Sequence, residues 1–297
     1  MPVDLRLLNK NSLSKQRPGT KMYLWKGKGI EMDRKAVAKE TLEIMRQGYY
    51  LSPGGVRIEL EEGLKRAVGL SQLITPEQGA QLMKEYESKK AGQGAKKEGR
   101  EEEGLRHGGG EKGECRKARL ENISTVDAIR KLDGEGKAEI GVLNFASAKN
   151  PGGGFLNGAM AQEESLAASS TLYRTLVAHE EYYRENRARR SMVYTDHAIY
   201  SPDVVFFRDG KFRLTDHPVK ASVLTLPAVN MGQVIRKGED VASAQQAMRR
   251  RMALALAIFA SKGAKNLVLG AYGCGVFGND PGKVAVWWRE LLEEGMA

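Results

Sequence analysis

The sequence predicts an α/β fold in which a largely parallel or mixed sheet is covered by helices on both faces. From residue 119 onward, short apolar segments alternate with helical segments, which is typical of a sheet layered between helices. Two glycine-rich loops each follow one of these apolar segments. In such sheets, loops beyond the carboxyl ends of the strands present backbone N–H groups to ligands. The pattern therefore predicts both the layers and the edge of the sheet that holds a site.

Two segments are predicted to precede the main domain. Residues 1–29 are basic and polar, lack the apolar run of a secretory signal, and are expected to be flexible. Residues 30–87 are predicted to form a helical accessory region. Its first helix places Thr41 and Ile44 on one face and ends at Gly48.

Residues 88–118 differ in composition from the rest of the chain. They are rich in Lys, Glu, Arg and Gly and nearly free of apolar residues, so they bury too little surface to offset the loss of chain entropy. We expect a flexible linker here. The three glycines at 108–110 are expected to have no binding role, because no apolar strand positions them. Residues 119–297 then form the main α/β domain.

The remaining elements follow from local patterns. A proline after Thr75 indicates the start of a helix. Alternating or continuous apolar residues predict strands at 56–60, 140–145, 192–200, 204–207, 221–226 and 266–269. Helical periodicity predicts helices at 165–187, at 239–260 and from Pro281 onward.

Composition narrows the class of partner. The chain has 297 residues, a net charge of +10 at pH 7 and a sequence pI of about 9.4. Hydrophobic residues make up 41%, which is enough for a sizeable core. The positive charge favours polyanionic partners such as nucleic acid or nucleotide polymers. Scattered Lys and Arg on a solvated surface explain the same charge equally well.

The cysteines and histidines do not form a metal site in the sequence. Cys115 and Cys274 provide neither a disulfide framework nor a zinc site, so we expect a reducing, cytoplasmic compartment, or a nuclear one in a eukaryote. No apolar run approaches the length of a membrane span. The four histidines lack the spacing of metal ligands, and none lies close enough in sequence to activate Cys274. We expect no metal, no cofactor and a packing role for Cys274.

The most informative stretch is residues 144–164. Gly152, Gly153 and Gly154 let a backbone approach a ligand closely, and Glu163 and Glu164 follow on one short segment. A backbone cradle beside paired acids suits cleavage of a glycosidic bond in a phosphate-bearing sugar. Each feature alone has a simpler interpretation, because glycine loops are often tight turns and adjacent glutamates are common at solvated helix starts.

A second glycine loop follows the apolar segment 266–269. It contains Gly273, Gly275 and Gly278 in a G-x-G-x-x-G pattern. This pattern is weak evidence for dinucleotide binding, because no acidic residue follows in a strand about twenty positions later. Two glycine loops can nevertheless hold a diphosphate between them.

The triple glycine, followed after seven residues by Gln162-Glu163-Glu164, resembles the signature of poly(ADP-ribose) glycohydrolases, in particular the compact bacterial and fungal type built on a macrodomain. The likeness extends to residues 34–50, 143–156, 194–208 and 270–281, and covers roughly 30–85 and 119–295 in all. It implies a macrodomain-like three-layer α/β/α fold with a mixed sheet, plus an N-terminal helical extension. Residues 119–297 would then be the catalytic domain.

The resemblance implies roles for individual residues. Glu164 resembles the catalytic acid, which protonates the leaving ribose oxygen and then activates water. Glu163 resembles the residue that bonds ribose hydroxyls, and Gln162 supports the same segment. Ser147 matches a ribose-contacting position, and Ser124 stands where an adenine-binding aspartate is expected. The other implied ADP-ribose-binding residues lie in the two glycine loops, with Phe277 packing on the terminal ribose: Gly152, Gly153, Gly154, Gly273, Cys274, Gly275, Val276, Phe277 and Gly278.

The leading hypothesis is a poly(ADP-ribose) glycohydrolase that hydrolyses ribose–ribose O-glycosidic bonds in an exo manner and needs no metal or cofactor. Three alternatives stay open: a hydrolase of ADP-ribose attached to nucleic acid, a non-catalytic ADP-ribose reader, and a nucleic-acid binder without enzymatic activity. The intact pair Glu163 and Glu164 argues against a reader. The expected partners are poly(ADP-ribose) and ADP-ribose, with ADP-ribosylated proteins or nucleic acid as further candidates and no membrane.

Overall fold

The computed structural model describes residues 4–8, 33–101 and 118–296. In these residues the strands are β1 Asp4–Leu8, β2 Tyr49–Leu51, β3 Arg57–Glu59, β4 Gln72–Ile74, β5 Ala118–Glu121, β6 Ile140–Ala146, β7 Ala198–Arg208, β8 Leu214–Pro227 and β9 Asn266–Val268. The helices are α1 Arg34–Gln47, α2 Glu61–Leu70, α3 Pro76–Glu101, α4 Thr125–Gly134, α5 Gln162–Ser169, α6 Leu172–Val177, α7 Glu180–Ala188, α8 Met231–Arg236, α9 Val241–Ser261 and α10 Pro281–Met296.

Seven of the described strands form one mixed sheet in the order β4-β7-β8-β6-β9-β1-β5. The strands from β8 to β5 run parallel to one another, whereas β7 is antiparallel to β8 and β4 is antiparallel to β7. Strands β2 and β3 form a separate antiparallel hairpin. The predicted mixed sheet is therefore confirmed.

Helices cover both faces of this sheet. On one face, α3, α9 and α10 pack on a core that includes Leu143, Met252 and Trp288. On the other face, α4 to α7 pack on a core that includes Val142 and Ile129. Neighbouring residues of β6 thus enter opposite cores, because side chains alternate across a strand. This arrangement confirms the predicted three-layer fold.

Local sequence signals fix several elements where they were expected. The Asp33 carboxylate accepts hydrogen bonds from the Lys35 and Ala36 amides and so caps α1. Gly48 ends α1 in the left-handed region, with φ of 79°. The Thr75 hydroxyl accepts the Gln78 amide and caps α3 as predicted.

The predicted helix at 165–187 is wrong, because the chain forms three helices there, α5 to α7. Between the first two, Ser170 pairs with Phe206 of β7. The Thr171 amide donates to the Val205 carbonyl, and the Val205 amide donates to the Thr171 hydroxyl. Pairing with the sheet therefore breaks a segment whose local periodicity is helical.

The two predicted strands at 192–200 and 204–207 are also wrong, since one strand, β7, spans Ala198–Arg208. The register against β8 shifts between Ser201 and Val204. Asp203 takes a positive φ of 52° there, so a bulge carries the strand past Pro202.

Two of the segment predictions need correction. Residues 4–8 form β1 between β9 and β5, so the N-terminal segment is not flexible throughout. The rest of 1–29, apart from β1, lies outside the described residues. Helix α3 continues to Glu101, so residues 88–101 are not a linker. Lys, Glu, Gln and Ala favour helix once a packed first turn has nucleated it. Residues 102–117, with the glycines at 108–110 and Cys115, lie outside the described part.

The accessory region at 30–87 packs as part of the main domain, because its strand β4 forms an edge of the large sheet. Within the described ranges, no helix is long and apolar enough to cross a bilayer.

Gly141 in β6 tests the packing of the sheet against α9. A Cβ atom added there would lie 2.8 Å from two ring carbons of Phe259 and 2.9 Å from a methyl group of Leu267. We expect Gly141→Ala to lower the free energy of unfolding by about 1–3 kcal/mol. Gly69→Ala, in α2 with open space around it, is the control and should raise it by about 0.5–1 kcal/mol. Equal stability of the two variants in denaturant titrations would contradict the described packing.

Candidate active site

A cavity of about 1220 Å³ opens beyond the carboxyl ends of β6, β8 and β9. Its walls include Phe145 and Ala146 at the end of β6, Ala228 after β8, and Ala271 after β9. This is the edge of a parallel sheet at which loops present backbone amides to ligands. The cavity therefore lies where the two glycine loops were predicted to meet.

The structure brings together nearly all the site residues that were predicted from the sequence. Gly152 and Gly278 do not line the cavity, but both lie inside its two loops with positive φ angles of 66° and 65°. The predicted residues that do line it are Ser147, Gly153, Gly154, Gln162, Glu163, Glu164, Gly273, Cys274, Gly275, Val276 and Phe277.

Gln162 fixes the start of α5 on the end of β6. Its side-chain Nε2 donates to the Leu143 carbonyl at 2.8 Å, and its Oε1 accepts the Phe145 amide at 2.8 Å. Nε2 also lies 3.4 Å from the Thr125 hydroxyl at the start of α4. The Gln162 side-chain amide thus pairs with one carbonyl and one N–H group of β6, as the backbone of a neighbouring strand would.

Glu163 is buried at the centre of the site, with 3% of its surface exposed. The Ser147 amide donates to its Oε2 at 2.6 Å, and Asn144 Nδ2 donates to its Oε1 at 3.3 Å. Burial raises the pKa of this carboxyl to about 8, against the lowering effect of the Ser147 and Asn144 hydrogen bonds. The nearby Glu164 charge raises it further. Burial therefore favours the neutral form of the Glu163 carboxyl.

Glu164 lies against the triple glycine. Its Oε1 accepts the Gly154 amide at 2.9 Å, while its Oε2 is buried and has no hydrogen-bond partner among the described residues. Gly153 has a φ of 61°, and a Cβ atom added to it would run into the Glu164 carboxylate and lie 3.1 Å from Glu163 Oε2. Only glycine allows both acids to approach the loop this closely.

Buried side chains hold the second glycine loop in place through hydrogen bonds to backbone carbonyls. Asn279 Nδ2 donates to the Val229 and Gly273 carbonyls at 2.7 and 3.0 Å. Trp288 is the buried tryptophan of α10, and its Nε1 donates to the Gly270 carbonyl at 2.9 Å. The Gly273 backbone, with φ of 71°, passes so close to Asn279 that an added Cβ would lie 2.6 Å from Nδ2.

Cys274 faces the cavity but is not poised as a nucleophile. Burial raises the pKa of its thiol to about 12, and the Asp280 charge adds to this effect. Its Sγ lies 3.6 Å from the Tyr272 carbonyl. No group of His, Cys, Asp and Glu side chains within the described ranges has the arrangement of a metal site. His197 is buried, and its Nδ1 lies 2.9 Å from the Thr195 hydroxyl, as a structural histidine would.

Ser124, which stands where an aspartate was expected, caps α4. Its hydroxyl accepts the Asp127 amide at 3.1 Å and donates to Asp127 Oδ2 at 2.7 Å. The Gly210 amide donates to Asp127 Oδ1 at 3.0 Å. Ser124 and Gly210 both line the cavity, so this cluster joins the start of α4 to the turn between β7 and β8.

Sequence reasoning missed three residues that shape the site. Asn144 is buried in β6 and also donates to the Thr225 hydroxyl at 3.1 Å. A polar side chain within an apolar strand was the signal for it, because such a group needs buried partners. Arg34 of α1 and Phe212 of the β7–β8 turn line the cavity as well. No local pattern marks either residue, since each reaches the site through tertiary packing.

Comparison with known families and structures gives a consistent result. Residues 38–209 match the family described as "Microbial-type PARG, catalytic domain". A search of curated proteins gave no match.

Solved structures agree over most of the chain. One is a poly(ADP-ribose) glycohydrolase from Thermomonospora curvata bound to the inhibitor ADP-HPD, with 37% identity and a TM-score of 0.74, covering 87% of this chain and 86% of that one. Another is the poly(ADP-ribose) glycohydrolase from Deinococcus radiodurans in complex with ADP-ribose, with 39% identity and a TM-score of 0.68. It covers 80% of this chain and 87% of that one.

The raised pKa of Glu163 makes stability depend on pH. Because its pKa is about 8 when folded and 4.5 in the reference state, the folded protein holds an extra proton between these values. The stabilisation that this extra proton gives to the folded state is therefore complete below pH 4.5 and is lost as the pH rises through 8. The free energy of unfolding falls over this range by up to about 1.4 kcal/mol per pH unit. We expect Glu163→Gln, which does not titrate, to gain stability relative to the wild type between pH 5 and pH 8. A stability difference that stays constant in denaturant titrations at both pH values would contradict the burial argument.

Proposed function

The chain belongs to the microbial-type PARG family and is a poly(ADP-ribose) glycohydrolase; from that premise we propose that Glu164 is its general acid and base. The supporting observation is the position of Glu164 on the triple glycine. Its Oε1 is held by the Gly154 amide, and its Oε2 has no partner among the described residues. A carboxyl group held at one oxygen is oriented, and no group among the described residues competes for a proton at its other oxygen.

The proposed reaction proceeds in two stages. Glu164 donates its proton to the ribose oxygen that leaves as the bond to the anomeric carbon of the terminal ADP-ribose breaks. The resulting carboxylate then accepts a proton from water, whose oxygen bonds to the anomeric carbon. The products are ADP-ribose and a polymer shortened by one unit, and Glu164 is protonated again.

Glu163 is proposed to position the terminal ribose. In its neutral form the carboxyl can donate to a ribose hydroxyl as well as accept from one. Gln162 is proposed to act through its hydrogen bonds to β6, which fix the turn that carries both glutamates.

The glycine loops are proposed to bind the diphosphate and riboses of the terminal unit. Gly152 to Gly154 and Gly273 to Gly278 form two backbone segments on the cavity edge, and Ser147 and Phe277 line the cavity beside them. Bound diphosphate can stabilise the positive charge that develops at the anomeric carbon.

The organisation and setting of the chain are part of the same proposal. Residues 119–297, together with strand β1 at residues 4–8, form the catalytic macrodomain, and residues 30–87 form an accessory region whose strand β4 extends the same sheet. The net charge of +10 favours a polyanionic polymer and allows contact with ADP-ribosylated proteins or nucleic acid. The few cysteines suit a reducing, cytoplasmic compartment.

Replacing Glu164 tests its role directly. We expect Glu164→Gln to slow ADP-ribose release from poly(ADP-ribose) by at least about 100-fold, because a general acid contributes on that scale. ADP-ribose affinity, measured by calorimetry, should be retained. Glu43→Gln, on α1 and paired with Arg46 outside the cavity wall, is the matched control and should act like the wild type. Release of ADP-ribose by Glu164→Gln at the wild-type rate would contradict the assignment of Glu164 as the general acid and base.

The behaviour of the wild type tests the activity itself. Binding of ADP-ribose without release from polymer would indicate a reader or a hydrolase of nucleic-acid-linked ADP-ribose. Binding of nucleic acid that falls steeply with salt and persists in Glu164→Gln would indicate a charge-based nucleic-acid binder.

Gly153→Ala tests the contact between the loop and the acids. The added methyl group would sit at a positive φ and push the Glu164 carboxylate out of position. We expect release of ADP-ribose to fall at least about tenfold, because small displacements of reacting groups are costly. The measurement is the initial rate at saturating polymer, and an unchanged rate would show that the contact is not needed.

A further inference from the structure

Phe212 has an unusual backbone for a bulky side chain. It lies in the β7–β8 turn with a φ of 62°, a region that aromatic residues rarely enter. Its ring lines the cavity and packs on the small core formed by Ala38, Phe155 and Ala168. Backbone strain of this kind persists where surrounding contacts enforce it, and it is common at binding sites.

A buried network enforces this conformation. Arg208 is 2% exposed, and its Nη1 donates to the Phe212 carbonyl at 2.9 Å. Its Nη2 pairs with Glu40 of α1 at 2.6 Å, and its Nε donates to the Thr41 hydroxyl at 3.3 Å. The Thr41 hydroxyl in turn donates to the Ala168 carbonyl of α5 at 2.7 Å. The turn that carries Phe212 is thus tied to the helix that carries the glutamates.

Arg34 places a cation beside this ring. Its guanidinium lies 5.7 Å from the centroid of Phe212, and the residue is half-buried in the cavity wall. Arg34 has no ion-pair partner in the part of the chain that the structure describes. A half-buried cation without a counter-ion is available for a phosphate.

Phe212 and Arg34 lie next to the proposed acid. Both share the wall of a small side pocket with Glu164, in addition to the main cavity. The side pocket is also lined by Phe155, Gly158 and Ala159, which follow the triple glycine along the chain. Phe212 and Arg34 therefore border Glu164 in both the side pocket and the main cavity.

The structure of the leaving group indicates which ligand would lie beside Phe212 and Arg34. The oxygen that Glu164 protonates is the 2′-oxygen of an adenosine, and the adenine is attached to the adjacent ribose carbon. The same adenosine carries a diphosphate at its 5′-oxygen. Any polymer positioned for cleavage must therefore place an adenine and phosphates close to the acid, on the leaving side of the bond.

We propose, resting on the proposed function, that Phe212 and Arg34 form a leaving-group subsite for the penultimate unit of the polymer. Its adenine packs on the Phe212 ring, and its diphosphate pairs with the Arg34 guanidinium. Aromatic side chains bind bases through stacking, and arginine binds phosphates through paired N–H donors. Arg208 is a positioning residue for this subsite.

Two substrates with the same terminal unit test the subsite. One is a two-unit ADP-ribose, and the other is the 4-nitrophenyl glycoside of ADP-ribose at its distal ribose, whose leaving group has neither base nor phosphate. The variants are Arg34→Gln and Phe212→Gly, and glycine suits the positive φ at 212, so the turn is kept. The matched control is Arg57→Gln, because Arg57 lies 3.7 Å from the Tyr49 ring on the β2–β3 hairpin and does not line the cavity.

We expect kcat/KM for the two-unit substrate to fall about tenfold or more in both variants, on the scale of one base stack or one phosphate contact. The ratio of kcat/KM for the two substrates should fall by the same factor, with ADP-ribose affinity within twofold of the wild type. An equal fall for both substrates, weaker ADP-ribose binding, or no change would overturn the subsite. A wild type that releases ADP-ribose from neither substrate would instead overturn the proposed function, and the subsite with it.

Discussion

The site depends on the hydrogen bonds that dock the first turn of α5 on the end of β6. Strand β9 pairs with β6 only as far as Val142, so the next backbone groups need other partners. Gln162 bonds Leu143 and Phe145, and Glu163 accepts the Ser147 amide. One helical turn therefore takes over the role of a strand, because buried backbone groups must be paired. The same bonds orient the chain so that Glu164 meets the triple glycine.

This docking has an electrostatic consequence. Glu163 accepts the Ser147 amide at a buried position, and burial raises its pKa to about 8. The neutral form that burial favours can both donate and accept a hydrogen bond, which suits a group that positions ribose hydroxyls. The glycine loop then lets both carboxyl groups approach the backbone. Structural and chemical requirements are met by the same few groups, which explains why glycines and acids occur together in the stretch from 144 to 164.

Much of the fold and site could be predicted because local signals and tertiary structure agree. The caps of α1, the apolar segment of β6 and both glycine loops are local features, and the acidic pair follows from a short pattern. The break at Ser170 could not be predicted, because it arises from pairing with Phe206. The single strand β7 crosses Pro202 by a bulge that no local pattern indicates. Arg34 and Phe212 reach the cavity from distant parts of the chain, and only the packed structure brings them beside Glu164.

The docking is tested most directly by the rate of ADP-ribose release in Gln162→Ala. This variant loses both side-chain bonds to β6 but keeps both glutamates. We expect the turnover rate at saturating poly(ADP-ribose) to fall by about 100-fold, because a displacement of about 1 Å is enough for such a loss. A turnover rate equal to that of the wild type, with any effect confined to ADP-ribose affinity, would contradict it.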